Sequence, residues 1–161
     1  MKMSVGNMYN YFSSKEELAK FAIKYSTNIL AIELREVNNM EITSKEKIYV
    51  FVKKYLENVQ KSPEIIEYFL RVYLSNREVF KQGCEGFLCV GEFVTEVMIL
   101  LDVGAQKKEF REQDFFPAFG MLMGCLGGFA FLSGENVLDK DLLSYSDSVA
   151  DNIYRALKYD E

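Results

Sequence analysis

Residues 4–18 read Ser-Val-Gly-Asn-Met-Tyr-Asn-Tyr-Phe-Ser-Ser-Lys-Glu-Glu-Leu. The stretch has the form of a short helix, a tight turn and the capped start of a longer helix. Val5, Met8 and Phe12 stand at i, i+3 and i+7 and give one apolar face, while Asn7, Asn10 and Tyr11 lie largely off it. Ser13 is placed as an N-cap, with Glu16 three residues on to complete a capping box. Leu18 and Phe21 then begin a new apolar stripe that continues through Ala22, Tyr25, Ile29 and Ile32 until Asn38-Asn39 ends it.

Helical periodicity runs through nearly all of the remaining chain. Thr43 and Glu46 form a second capping box, followed by a stripe at Ile48, Phe51, Val52, Tyr55 and Val59. Ser62-Pro63 reads as an N-cap with proline at the first helical position, where its missing N–H costs nothing. An apolar helix is expected from about residue 86 to 102, ended by Gly104. A charged link, Lys107-Lys108-Glu109-Phe110-Arg111, precedes Asp114 as the next N-cap. A last amphipathic helix is expected over 140–159, with Leu142, Tyr145, Val149, Ile153 and Leu157 on its apolar stripe. No clean alternation of five residues bounded by turns marks a strand. The expectation is an all-α fold.

The chain has 161 residues, 49% of them hydrophobic, with net charge −5, only 2 prolines and no histidine. That suits one globular domain of long helices. The acidic balance lacks the basic footprint of a nucleic-acid-binding surface. Without histidine the commonest general base and metal ligand is missing, and there is no GxSxG, phosphate loop or acidic cluster with metal spacing. No enzyme, metal or cofactor is expected. Cys84, Cys89 and Cys125 are an odd number without CxxC spacing. They suit buried thiols in a reducing cytoplasm, and a redox role for Cys84 or Cys89 is the weaker alternative.

The order of signals at residues 4–18 resembles the end of the DNA-binding domain of TetR-family transcriptional repressors. There the recognition helix reads roughly S-x-G-x-x-Y-x-(H/Y)-F and the next helix opens x-S-K-E-x-L. Ser4, Gly6, Tyr9, Tyr11, Phe12, Ser14, Lys15, Glu16 and Leu18 match; Asn10 stands where an aromatic residue is frequent. The segment from Gly104 to Arg111 also resembles the family's G-x-F/L-R link. The resemblance implies a remnant of the helix-turn-helix over residues 1–13 and a helical ligand-binding and dimerisation domain over 14–161. Two helices precede the recognition helix in that family, so the first two helices of the DNA-binding domain are expected to be missing here. Groove or phosphate contacts fall to Ser4, Asn7, Tyr9, Tyr11 and Lys15, with operator DNA as the partner of a full-length protein. The function implied is ligand-responsive repression. The alternative is a dimeric helical small-molecule-binding protein that does not act on DNA.

Two further features bear on partners. The run from Phe115 to Gly134 carries no charge, and Gly120, Gly124 and Gly128 recur at i, i+4 and i+8. A helix-interior glycine costs about 1 kcal/mol relative to alanine, so close approach of another helix should offset three of them. A homodimer interface with Val149 and Ile153 alongside, internal close packing and a membrane span are the three readings. Five glycines, Pro117 and the lack of a basic flank on one side count against the span. The middle helices are rich in aromatics and methionine, which adapts to irregular shapes. By composition these are more often core, but the TetR resemblance implies a ligand cavity between the middle helices, so Tyr55, Phe69, Tyr73, Phe93, Met98, Phe119 and Met123 are the expected lining of a pocket for an apolar small-molecule effector, or else core.

Overall fold

The computed structural model describes residues 11–63 and 91–159. Among them the chain forms α1 (Lys15–Asn38), α2 (Ser44–Lys61), α3 (Gly91–Gln106), α4 (Phe115–Gly134), a 3-10 turn (Leu142–Tyr145) and α5 (Ser146–Leu157). The described residues hold no strand; one isolated antiparallel bridge joins Phe110 and Lys158. The all-α expectation holds.

The helix starts follow from local chemistry. At α2 the Thr43 hydroxyl accepts from Glu46 N–H at 3.2 Å, and the Glu46 carboxylate accepts from Thr43 N–H at 2.9 Å. This is the expected capping box, and it satisfies two donors that the first turn would otherwise leave orphaned. Asp114 caps α4 by accepting from Phe116 N–H at 2.8 Å. At α1 the expected cap is one residue out of place. Ser14 accepts from Glu17 N–H at 3.1 Å, and Glu17 reaches back to the N–H and hydroxyl of Ser13, both at 2.7 Å. Two adjacent serines before two adjacent glutamates offer two registers, and spacing alone does not choose between them.

α1 packs on α3 and α2, α2 on α5, and α4 closes the bundle against α5, α2 and α3. The stripes expected on α2 and α5 are the core: Ile48, Phe51, Val52, Tyr55, Val59, Val149, Ile153 and Leu157 are buried. Each fully buried aliphatic or aromatic side chain of this kind stabilises by about 1.5–3 kcal/mol.

α1 departs from expectation. Its buried face is Ile23, Leu30, Ala31, Leu34 and Val37, with Ser26 and Thr27 between them, whereas Phe21, Tyr25 and Ile32 are exposed. The Ser26 and Thr27 hydroxyls donate to Ala22 O at 2.8 Å and Ile23 O at 2.9 Å. Back-bonded in this way, they pass as interior surface, so α1 carries two apolar arcs and the bulkier one lies outside.

α3 also runs past Gly104, to Gln106. The left-handed residue that ends it is Lys108, at φ 56°. The N–H groups of Glu109 and Phe110 return to Gly104 O at 2.9 and 3.0 Å. Gly104 is glycine because the Phe110 ring lies on it: a Cβ there would stand 2.1 Å from Phe110 Cδ2. The expected last helix is split. Asp141 caps a 3-10 turn through Leu143 N–H at 3.1 Å, and α5 begins only at Ser146.

Candidate functional site

The effector-pocket residues separate. Tyr55 and Phe93 are buried in the same core cluster, where the Phe51 and Phe93 rings lie 6.3 Å apart. Burial pushes the Tyr55 phenol well up, so it stays neutral. Phe119 and Met123 are half-buried against that cluster from α4. Met98 is not with them. It is 43% exposed, beside exposed Ile99, because the inward arc of α3 is Phe93, Val94, Val97, Leu100, Leu101 and Gly104. Phe69 and Tyr73 lie outside the described residues, as do Cys84 and Cys89.

A cavity of about 270 Å³ opens elsewhere, between the last turn of α3 and the first of α4. Its apolar lining is Leu101, Ala105, Phe110 and Phe115, and its polar lining is the exposed side chains of Asp102, Gln106, Arg111, Glu112 and Gln113. None of the expected pocket residues that the structure describes lines it. Its position falls on the charged link, which reads in sequence only as a connection, so no local pattern announces a concave surface there.

The faces of α4 are sharply divided. Ala118, Leu122, Leu126 and Ala130 recur every four residues and are buried. On the other side Gly120, Gly124 and Gly128 are open, and a Cβ on any of them would meet nothing within 4 Å. Phe116 and Phe131, 68% and 61% exposed, flank that strip. Among the described residues, then, the glycines serve no close packing. By length and composition α4 is also long and apolar enough to cross a membrane, and 17% of its most apolar stretch is buried in the chain. Val149 and Ile153, expected beside the glycines at a partner interface, are 2% and 0% exposed. They belong to the stripe of α5 that packs on α2, so they have no surface left for a second chain.

A polar clasp joins α1, α2 and α3. Arg35 Nε donates to Glu96 Oε1 at 2.6 Å, and Arg35 also reaches Glu92 at 3.4 Å. Asn38 Nδ2 donates to the Glu96 carboxylate and to its backbone carbonyl, both at 3.0 Å. Lys47 Nζ donates to Asn38 O at 2.6 Å, at the C-terminal end of α1 where a cation is favoured. The hydrogen bond and charge of Glu96 raise the Arg35 guanidinium still further, while burial pulls the Lys47 ammonium down. Burial alone would raise the Glu109 carboxyl, yet the Ser44 N–H donated to it at 2.5 Å, with Lys107 and Lys47 nearby, holds it below the usual range.

Of the expected DNA contacts, Ser4, Asn7 and Tyr9 lie outside the described residues. Tyr11 is exposed, and Lys15 is the first residue of α1. Among the described residues no group of three or more Cys, Asp or Glu side chains is placed to hold a metal ion.

No protein-family model matches the chain, and no curated protein matches it. Its fold is similar to the crystal structure of the transcriptional regulator FadR from Bacillus subtilis in complex with stearoyl-CoA. The TM-score is 0.78 at 20% sequence identity, covering 94% of this chain and 81% of that one. At that identity the likeness establishes the fold alone: this chain shares the all-helical fold of that structure.

Proposed function

We propose that this chain is the sensor part of a TetR-type, ligand-responsive repressor that works in the cytoplasm as a homodimer and is not an enzyme. Residues 4–12 carry the recognition-helix motif, and operator DNA is the partner of the helix-turn-helix that this motif belongs to. The observation that carries the reading is the helical fold shared with FadR over 94% of the chain. The motif at residues 4–18 narrows it to the TetR type.

The open glycine strip of α4 is the dimer face. A twofold axis brings the same patch of both subunits together, which suits a flat strip flanked by exposed Phe116 and Phe131. A stable interface covers about 800 Å² on each partner, and α4 offers uncharged surface along 20 residues. Ala118, Leu122, Leu126 and Ala130 tie the opposite face into the bundle, which supports a dimer over a membrane span.

The effector is apolar. FadR is in complex with stearoyl-CoA, whose acyl chain is apolar, and here Phe119 and Met123 pack against an apolar core cluster that includes Tyr55 and Phe93. Binding of such a molecule would bias the dimer between two spacings of its recognition helices, of which one fits successive major grooves.

Three measurements test the proposal. Light scattering at micromolar concentration should give a dimer, and Gly124→Leu a monomer or aggregate. Stearoyl-CoA or a free long-chain fatty acid should raise Tm, while small polyanions should not. An extended chain with two upstream helices should bind a palindromic site in a gel shift, with salt dependence. A wild-type monomer, or an extended chain indifferent to DNA, would sink the reading. The second outcome alone would favour the dimeric binding protein that does not act on DNA. The net charge of −5, with only Lys2, Lys15 and Lys20 basic in the first twenty residues, leans that way for the chain by itself.

A further inference from the structure

We propose that the cavity between α3 and α4 is a second small-molecule site, and that it takes a free α-amino acid with an aliphatic or aromatic side chain. Its volume, about 270 Å³, lies just under the roughly 300–1,000 Å³ of sites for drug-sized ligands. That is too small for a long acyl chain joined to a nucleotide, so the site is distinct from the apolar effector site proposed above. The apolar lining of Leu101, Ala105, Phe110 and Phe115 provides for an apolar body.

The polar lining provides for two opposite charges. Arg111 lines the same cavity as the acidic side chains Asp102 and Glu112 and the amides of Gln106 and Gln113. None of these five side chains makes a hydrogen bond or ion pair among the described residues. Polar groups on neighbouring surfaces are paired, as in Arg35–Glu96, Lys54–Glu36 and Asn58–Glu33. Here they line one cavity and have no hydrogen-bond or ion-pair partner among the described residues. Arg111 is held from behind: its N–H donates to Leu157 O at 2.9 Å, next to the bridge between Phe110 and Lys158. A guanidinium on a fixed backbone offers two parallel donors to a carboxylate, and Asp102 with Glu112 offers acceptors for an ammonium group. A ligand carrying one charge alone leaves the other half of the polar lining to water.

The test is isothermal titration of the whole chain with phenylalanine, leucine, phenylpropionate and phenylethylamine. The amino acids should bind saturably, and each singly charged analogue at least tenfold more weakly than phenylalanine. Arg111→Gln should weaken phenylalanine and phenylpropionate by at least tenfold and leave phenylethylamine unchanged. Ala105→Leu should remove binding of all four by filling the cavity. Arg111 is exposed and Ala105 half-buried, and circular dichroism checks that the variants fold. No saturable binding of either amino acid up to millimolar concentration would overturn the proposal. So would equal affinity for the singly charged analogues, or an Arg111→Gln chain that binds phenylalanine like wild type. If Arg111→Gln also abolished the response to stearoyl-CoA, the two sites would not be separate.

Discussion

Gly104→Ala puts one methyl group where the structure leaves no room for it. The new Cβ would lie 2.1, 2.6 and 2.7 Å from three atoms of the Phe110 ring, against an ordinary contact of 3.4–4 Å. The ring must retreat by more than 1 Å. It is 1% exposed, and its backbone is held on both sides: Phe110 N–H to Gly104 O at 3.0 Å, Arg111 N–H to Leu157 O at 2.9 Å. Overpacking of this kind costs about 1–3 kcal/mol. Alanine gives back about 0.5–1 kcal/mol of helix propensity. The high end of the first range applies, because ring and backbone are both pinned, and the net loss is about 2 kcal/mol. For a chain of this size that lowers Tm by roughly 4–8 °C. Urea unfolding followed by circular dichroism gives the number directly, provided m is unchanged. A double-mutant cycle isolates the cause. Phe110→Ala alone should cost about 3–5 kcal/mol, and adding Gly104→Ala to it should cost nothing further, since the clash is gone. A single Gly104→Ala variant as stable as wild type would refute the packing argument.

Thr43→Ala removes the capping box of α2 and should cost about 1 kcal/mol, read as a lower urea midpoint. Gly120→Ala should raise the stability of an isolated chain by about 0.5–1 kcal/mol, because its Cβ would be in open space. If a second copy covers that strip, the same change lowers the dimer association constant instead, and sedimentation at several concentrations separates the two. Acid should weaken the fold through Glu46 and Glu109, both held below the usual carboxylate range. A carboxyl whose pKa is depressed in the folded state contributes stability above its unfolded value and loses it as pH falls through the folded one. The urea midpoint should therefore be level from pH 7 to about 5 and fall below that. Glu109→Gln should lower the midpoint at pH 7 and flatten the fall; an unchanged slope would mean that Glu109 is not part of the effect.

The parts of this fold that were legible in the sequence are those where one chemistry had one outlet. Thr43 has a single glutamate three residues on, and the stripes of α2 and α5 have no competing apolar arc, so cap and core face were read correctly. α1 was misread because it has two arcs. Periodicity weighs Phe21, Tyr25 and Ile32 above Ser26 and Thr27 by size, whereas burial follows from hydroxyls that return their hydrogen bonds to their own helix. Gly104 was read as a stop because glycine often ends helices; its actual reason, a ring from six residues further on, is a tertiary contact with no local trace. The glycine strip was visible as a periodicity. That it faces away from the chain's own core was not, since i+4 spacing marks a face without saying which. The cavity was invisible for a related reason: its lining comes from three elements that meet only after the link has turned.

The bond from Arg111 N–H to Leu157 O, the bridge from Phe110 to Lys158 and the bond from Tyr159 N–H to Glu109 O make residues 109–159 a ring closed by backbone. Such a closure changes how the molecule breathes. Neither α4 nor α5 can peel from the bundle alone without first opening the knot, so the two should exchange their amide hydrogens as one cooperative block. Residues 157–159 are then a latch: cutting the chain before Leu157 would loosen a helix that begins more than forty residues earlier in the sequence.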